Sequence, residues 1–173
     1  MGRAAPRTGI VKSSRASFDP EPWRNELLGF VRRMGAARDA EDLVQETFLR
    51  AIQAPAPDHP RAWLHRIALR LILDRARSAR RRAGERGDPA LARLEHPDPD
   101  PAECALDRDL ARAAARVVRT RPPRQRAALI LRIQRHMDYD EVALALDCSV
   151  PTARQHFHLA VKAVRDALAE GER

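Results

Sequence analysis

Aromatic side chains are scarce in this chain: four Phe, two Trp and one Tyr among 173 residues. Ala and Leu supply the apolar material instead, a composition that favours helices over strands. Glycine is scarce too, seven residues in all, and none forms a phosphate-cradling loop pattern. There is no serine–histidine–acid arrangement with a supporting motif. An enzyme is therefore not expected, nor a cofactor. The two cysteines, Cys104 and Cys148, can build neither a disulfide framework nor a four-ligand zinc site alone, so plain thiols and no metal are expected. No apolar run approaches the roughly 20 residues of a membrane helix. The opening "MGRAAPRTGIVKSSRAS" carries no secretory apolar segment. The expectation is a soluble, cytoplasmic protein without membrane insertion. Lysine is almost missing: Lys12 and Lys162 stand alone, and arginine carries the remaining positive charge.

That charge is unevenly placed. The net is +8, which suits a polyanionic partner. Residues 61–82 are the most basic stretch, with eight Arg against the single acid Asp74. Acidic stretches, 39–60 and 83–106, flank it on both sides. A randomly solvated surface would rarely sort its charge this way.

Hydrophobic spacing predicts an all-α chain of two small helical domains joined by a flexible linker, the C-terminal domain containing a helix-turn-helix. Residues 1–17 are polar, basic and aperiodic and read as a flexible arm. The first domain, 18–82, holds three helices. One starts near Pro22, buries Trp23, Leu27, Phe30, Val31 and Met34, and ends at Gly35. A second follows Asp39, a candidate N-cap with Asp42 three residues on, and stops at the prolines of "APAPDHP". A third runs from about Arg61 to Arg82, with Trp63, Leu64, Ile67, Leu71 and Ile72 at helical spacing. Residues 83–105 are acidic and rich in proline, a linker with room for one helical turn around Leu91. The second domain, 106–173, is helical again, with breaks at Pro122–Pro123, His136–Asp138 and Asp147–Ser149.

"DYDEVALALDCSVPTARQHFHLAVKAV" has helix-turn-helix spacing. Asp138 can cap the first helix with Glu141 completing a capping box. The turn falls at Asp147 and Cys148, where Asp tolerates a left-handed backbone. Ser149 can cap the second helix, with Pro151 in its first turn. Val150, Ala153, Phe157, Ala160, Val161 and Val164 cluster on one side at 100° per residue. Thr152, Gln155, Leu159 and Lys162 point away, flanked by Arg154 and His158 on one edge and His156 on the other. His156 and His158 are two residues apart, diverge on a helix and make a poor metal pair. The competing reading is a merely solvated face, but such a face would carry more Glu–Lys pairs than this amide-bearing one.

The two preceding helices differ in kind. On the basic one, Arg66, Arg70 and Arg77 share a face and the helix ends in Arg80, Arg81 and Arg82, a strip able to neutralise several phosphates. On the acidic one, Asp42, Gln45, Glu46 and Leu49 share the face opposite Val44, Phe48 and Ala51. Acids, an amide and an exposed leucine suit protein docking, and would repel DNA.

In order, "DAEDLVQETFLRAI", "RAWLHRIALRLILDRAR", an acidic linker, "PPRQRAALILR" and the helix-turn-helix resemble bacterial sigma factors of the extracytoplasmic-function (group four) type, over roughly residues 22–168. The resemblance implies partners: core RNA polymerase, met at its clamp helices and flap, promoter DNA, and an anti-sigma factor. It implies that Asp42, Gln45, Glu46 and Leu49 bind core polymerase. The loop from Gln53 to Arg61, with Asp58, His59 and Arg61, would capture a flipped base of the minus-ten element. Trp63, Arg66, Arg70 and Arg77 would melt and hold that strand. Thr152, Arg154, Gln155, His158, Leu159 and Lys162 would face the minus-thirty-five element. The chain departs from the usual pattern at Arg70, where Asn is common, at Arg121, where Leu is common, and at His156, Leu159 and Val161, where basic residues are common. The alternative is a helix-turn-helix regulator that acts without docking on polymerase, which would have no use for the acidic Asp42–Leu49 face.

Overall fold

The computed structural model describes residues 18–54, 57–86 and 105–171, which are helical and contain no strand. The arm at 1–17, the turn expected around Leu91, and Cys104 lie outside the described residues. A 3-10 turn at Glu21–Trp23 feeds α1 (Arg24–Arg33), followed by α2 (Ala40–Ile52) and α3 (Pro60–Arg86). After the linker come α4 (Ala105–Thr120) and α5 (Pro123–Leu129), which runs on through a π-helical turn (Ile130–Gln134). The helix-turn-helix is α6 (Tyr139–Leu146) and α7 (Val150–Gly171).

Local chemistry explains the boundaries. Gly35 ends α1 at φ 89°, a left-handed conformation that glycine adopts without a Cβ clash. Pro122 and Pro123 separate α4 from α5, and Pro123 opens the latter where no amide donor is missed. At α6 the capping box is complete: the Glu141 amide donates to Asp138 Oδ1 at 2.8 Å and the Asp138 amide to Glu141 Oε2 at 3.1 Å. Asp147 holds the turn at φ 54°. Ser149 Oγ accepts from the Thr152 amide at 3.4 Å and lies 2.8 Å from Thr152 Oγ1. Asp39 departs from expectation. It precedes α2 but makes no side-chain cap bond, because its carboxylate reaches Arg75 on α3 at 3.0 Å instead.

Leu27, Phe30 and Val31 of α1, Met34 at its C-cap and Val44 of α2 are buried, as the spacing predicts; Leu43 is buried with them, whereas Trp23, expected inside, is only half-buried. Full burial of each such side chain contributes roughly 1.5–3 kcal/mol. Helix α3 differs from the single apolar stripe predicted for it. Trp63 and Ile67 are only half-buried, whereas Ala62, His65, Ala68 and Leu69 are buried alongside Leu64, Leu71 and Ile72. The reason is that α3 packs on two sides: α1 and α2 cover one, and α6 of the second domain covers another. The core is correspondingly continuous, running from Leu27 through Ile72 to Leu131, Leu146 and Ala153.

Candidate nucleic-acid interface

Three faces carry the residues singled out in the sequence. The first lies on α2. Asp42, Gln45, Glu46 and Leu49 come together along a shallow groove whose other walls are Arg50, Leu71 and Arg75. Glu46 is tied to Arg50 at 2.8 Å. Leu49 and Ile52 are each about half exposed, at 51% and 55%. Ile52, one helical turn from Leu49, is a second exposed apolar side chain that the sequence reading did not single out.

The second face belongs to α3. Arg66, Arg70 and Arg77 are exposed along one side, continued by Arg80, Arg81 and Arg82. Of the two arginines within helical reach of Asp74, Arg70 and Arg77, it is Arg77 that pairs with it, at 2.8 Å. Trp63 is half-buried, with Phe18 edge-on at 5.9 Å, and Phe18 in turn stacks on Trp23 at 5.7 Å. Asp58 and His59 are exposed just before the helix. Arg61 does not join them. Its Nε donates to Glu26 on α1 at 2.7 Å and its Nη2 to the Arg135 carbonyl, so this side chain turns inward. Arg66 meets Asp147 of the helix-turn-helix at 2.7 Å.

The third face is α7. Arg154, Gln155, His158, Leu159 and Lys162 are exposed, and Thr152 is half-buried beside Ser149. The Arg154 guanidinium lies 5.1 Å from the centre of the Tyr139 ring, and Arg132 lies 4.8 Å from it. Arg154 is thereby pre-positioned at the N-terminal end of α7. His156 faces differently from its expected flank. It is half-buried with Nδ1 unpartnered, and burial, then the nearby Arg124 charge, lowers its pKa and keeps the ring neutral at pH 7.

His65 escaped the sequence reading. It is fully buried, its Nδ1 donates to the Arg61 carbonyl at 2.9 Å, and its ring meets Phe30 edge-on at 4.9 Å. Burial drives its pKa down to about 4, only partly countered by the Arg61 carbonyl bond and by Glu26. A lone His in a basic helix gives no signal of this. The Cys148 thiol is half-buried in the turn, and burial raises its pKa against the opposing Arg124 charge, which disfavours the reactive thiolate. Among the described residues no group of three or more His, Cys, Asp or Glu could hold a metal, and no helix is long and apolar enough to cross a membrane.

Residues 21–82 match the family description Sigma-70 region 2, and residues 112–164 match Sigma-70, region 4. The chain is 33% identical over 175 residues to the ECF RNA polymerase sigma factor SigL of Mycobacterium tuberculosis, covering 98% of this chain and 94% of that protein. It is 33% identical over 142 residues to SigE of Mycolicibacterium smegmatis, covering 80% of this chain and 55% of that one. It is 39% identical over 165 residues to SigJ of Mycobacterium tuberculosis, covering 88% and 51%. The chain thus spans about half the length of two of these relatives and nearly all of the third. Its fold is similar to that of the sigma factor RpoE of Bartonella quintana, solved with the anti-sigma factor NepR, at TM-score 0.67 and 22% identity over 86% of this chain and 93% of that one.

Proposed function

The chain belongs to the sigma-70 family, among its extracytoplasmic-function members, and from that premise we propose that it is an alternative sigma factor that carries core RNA polymerase to specific promoters. The observation that supports this best is the division of the surface. An acidic, partly apolar face on α2 (Asp42, Gln45, Glu46, Leu49) is separate from the basic strip on α3 (Arg66, Arg70, Arg77). The first, where Leu49 stands exposed among Asp42, Gln45 and the Glu46–Arg50 pair, fits a protein partner, the clamp helices of core polymerase. The second fits the minus-ten strand. A DNA-binding regulator that never met polymerase would gain nothing from the first.

In this reading the protein acts by binding, without chemistry of its own. Trp63 and the exposed Asp58 and His59 stand beside the extruded base, and Arg66, Arg70 and Arg77 hold the strand by its phosphates. Unstacking a base costs a few kcal/mol, and stacking on an aromatic ring, at about 1–3 kcal/mol per base, offsets it. Arg61, ion-paired to Glu26, acts by fixing the start of α3 rather than by touching DNA. Helix α7 enters the major groove of the minus-thirty-five element by its N-terminal end, with the second domain seated on the polymerase flap. Arg154 and Gln155 reach base edges or phosphates, Leu159 offers apolar contact, and Thr152, His158 and Lys162 line the flanks. An anti-sigma factor that covers these faces is the proposed regulator.

The test is co-purification with core RNA polymerase followed by run-off transcription. Gln45→Ala with Glu46→Arg is expected to lower core affinity at least tenfold without lowering the melting temperature, since neither side chain is buried. Unchanged affinity would remove the α2 face from the reading.

A further inference from the structure

Tyr139 is the chain's only tyrosine, and it stands at the first position of α6, outside the reading helix. Its backbone is fixed by the Asp138–Glu141 capping box that encloses it. Its ring is fixed from below: Phe157 of α7, which packs on the core, meets it edge-on at 6.0 Å and 76°. Two guanidiniums lie against that ring, Arg132 at 4.8 Å and Arg154 at 5.1 Å. They are not equivalent. Arg132 is half-buried and donates through Nη1 to the Met137 carbonyl at 2.8 Å, so it is committed inside the domain. Arg154 is exposed, and among the described residues no carboxylate or carbonyl takes its N–H groups. A cation–π contact holds a guanidinium through the face of the ring and leaves its N–H donors unspent.

The surroundings of that ring decide what Arg154 can meet. Asp138 and Asp140 flank Tyr139 in sequence, both exposed, and Glu141 follows. Three carboxylates at this end of α6 disfavour an approaching phosphate. A guanine edge carries no net charge and offers two acceptors, O6 and N7, spaced for two parallel donors of an arginine. We propose that Tyr139 is a positioning residue of the minus-thirty-five reader: its ring holds Arg154 in the direction from which the guanidinium takes a guanine edge. A residue of the first helix thereby sets part of the base preference of the second. An arginine free to turn would lose rotamer freedom at each binding event, and the ring removes part of that cost in advance. The proposal rests on the sigma-factor reading only for which DNA element is read.

The experiment transcribes a promoter library, randomised in the upstream element, with holoenzyme assembled from core RNA polymerase and the full chain. Wild type is expected to prefer guanine at one upstream position, and Arg154→Ala to abolish that preference alone. Tyr139→Phe, which keeps the ring, should match wild type. Tyr139→Leu should cut the preference at the same position about two- to fivefold, the worth of one exposed cation–π contact, and leave the position read by Gln155 unchanged. Added to Arg154→Ala, Tyr139→Leu should change nothing further there. Uniform loss at all positions, Phe behaving as Leu, or an effect that survives in Arg154→Ala would overturn the proposal. A second measurement needs no polymerase. In NMR spectra of the full chain the Arg154 side-chain protons should be shifted upfield by the ring in wild type and Tyr139→Phe, and not in Tyr139→Leu. Absence of that shift in wild type overturns the proposal by itself. Wild-type holoenzyme that starts at no promoter would refute the sigma-factor reading instead; the variants are then scored by duplex selection on the full chain, where the guanine preference must still follow the ring.

Discussion

Replacing Arg126 by Met tests whether the two domains fold as one unit. The substitution keeps an unbranched apolar stem and removes the guanidinium, leaving the Met34 and Arg119 carbonyls without this donor. A hydrogen bond from a charged donor contributes about 1.5–3 kcal/mol net. Two such bonds would give roughly 3–6 kcal/mol. Relief of the guanidinium's burial, which already pulls its pKa down with help from Arg119, offsets part of that. A loss of about 2–4 kcal/mol is expected, or roughly 5–15 °C in Tm for a chain of this length. The assay is urea unfolding followed by two probes. Both tryptophans, Trp23 and Trp63, lie in the first domain, so their fluorescence reports that domain alone, whereas far-UV circular dichroism reports every helix. In wild type the two curves should coincide. In Arg126→Met they should separate, because the bonds that tie α1 to α4 and α5 are gone. Curves already separate in wild type, or coincident curves with a loss under about 0.5 kcal/mol, would refute the reasoning.

His65 makes stability depend on pH. Its folded pKa, about 4, lies below the unfolded 6.5, so the unfolded chain binds the extra proton first. Stability is complete above pH 6.5 and falls as pH drops toward 4, by up to about 3 kcal/mol. The urea midpoint should lose this slope in His65→Leu, and equal slopes in both proteins would reject the assignment. Arg66→Ala with Arg70→Ala should impair transcription from duplex promoters by a larger factor than from a pre-melted bubble, and equal losses on both templates would mean that the strip only docks the duplex. Gln155→Ala should relax base preference at one or two upstream positions, each by about 1–3 kcal/mol of discrimination, in a transcribed promoter library. Uniform loss across all sequences would make Gln155 a positioning residue, and no change would return that face to solvent.

The helices, their breaks and the helix-turn-helix caps were legible because each rests on local chemistry. Proline, glycine, the Asp138–Glu141 pair and the left-handed Asp147 act within a few residues of themselves. The second buried side of α3 was not legible. Ala62, His65, Ala68 and Leu69 fall outside the stripe read from spacing, and their burial follows from α3 being packed against α1, α2 and α6 together. Asp39 looked like a cap because the partner that claims it, Arg75, is 36 positions away in sequence. The α2 face and the exposed strip of α3 were read from charge and spacing alone, and the structure brings those residues together. Arg61 carried the same charge signal and turned inward, because Glu26 and the Arg135 carbonyl were invisible in sequence.

The choice of arginine over lysine now has a structural reason beyond phosphate. Thirty arginines beside two lysines look like a nucleic-acid composition, yet Arg61, Arg126 and Arg132 donate to main-chain carbonyls within the protein, and Arg135 packs against Gly29. Lysine would serve an exposed phosphate nearly as well. It could not serve at position 126, where one planar fork must reach carbonyls at the ends of two different helices and remain charged while buried. Arg126→Lys should therefore recover about half of what Arg126→Met loses, since an ammonium can sit on one helix end or the other but not on both. If lysine restored full stability, the site would need only a positive charge. The geometric argument for the clamp would then fail, even with the domains still in contact.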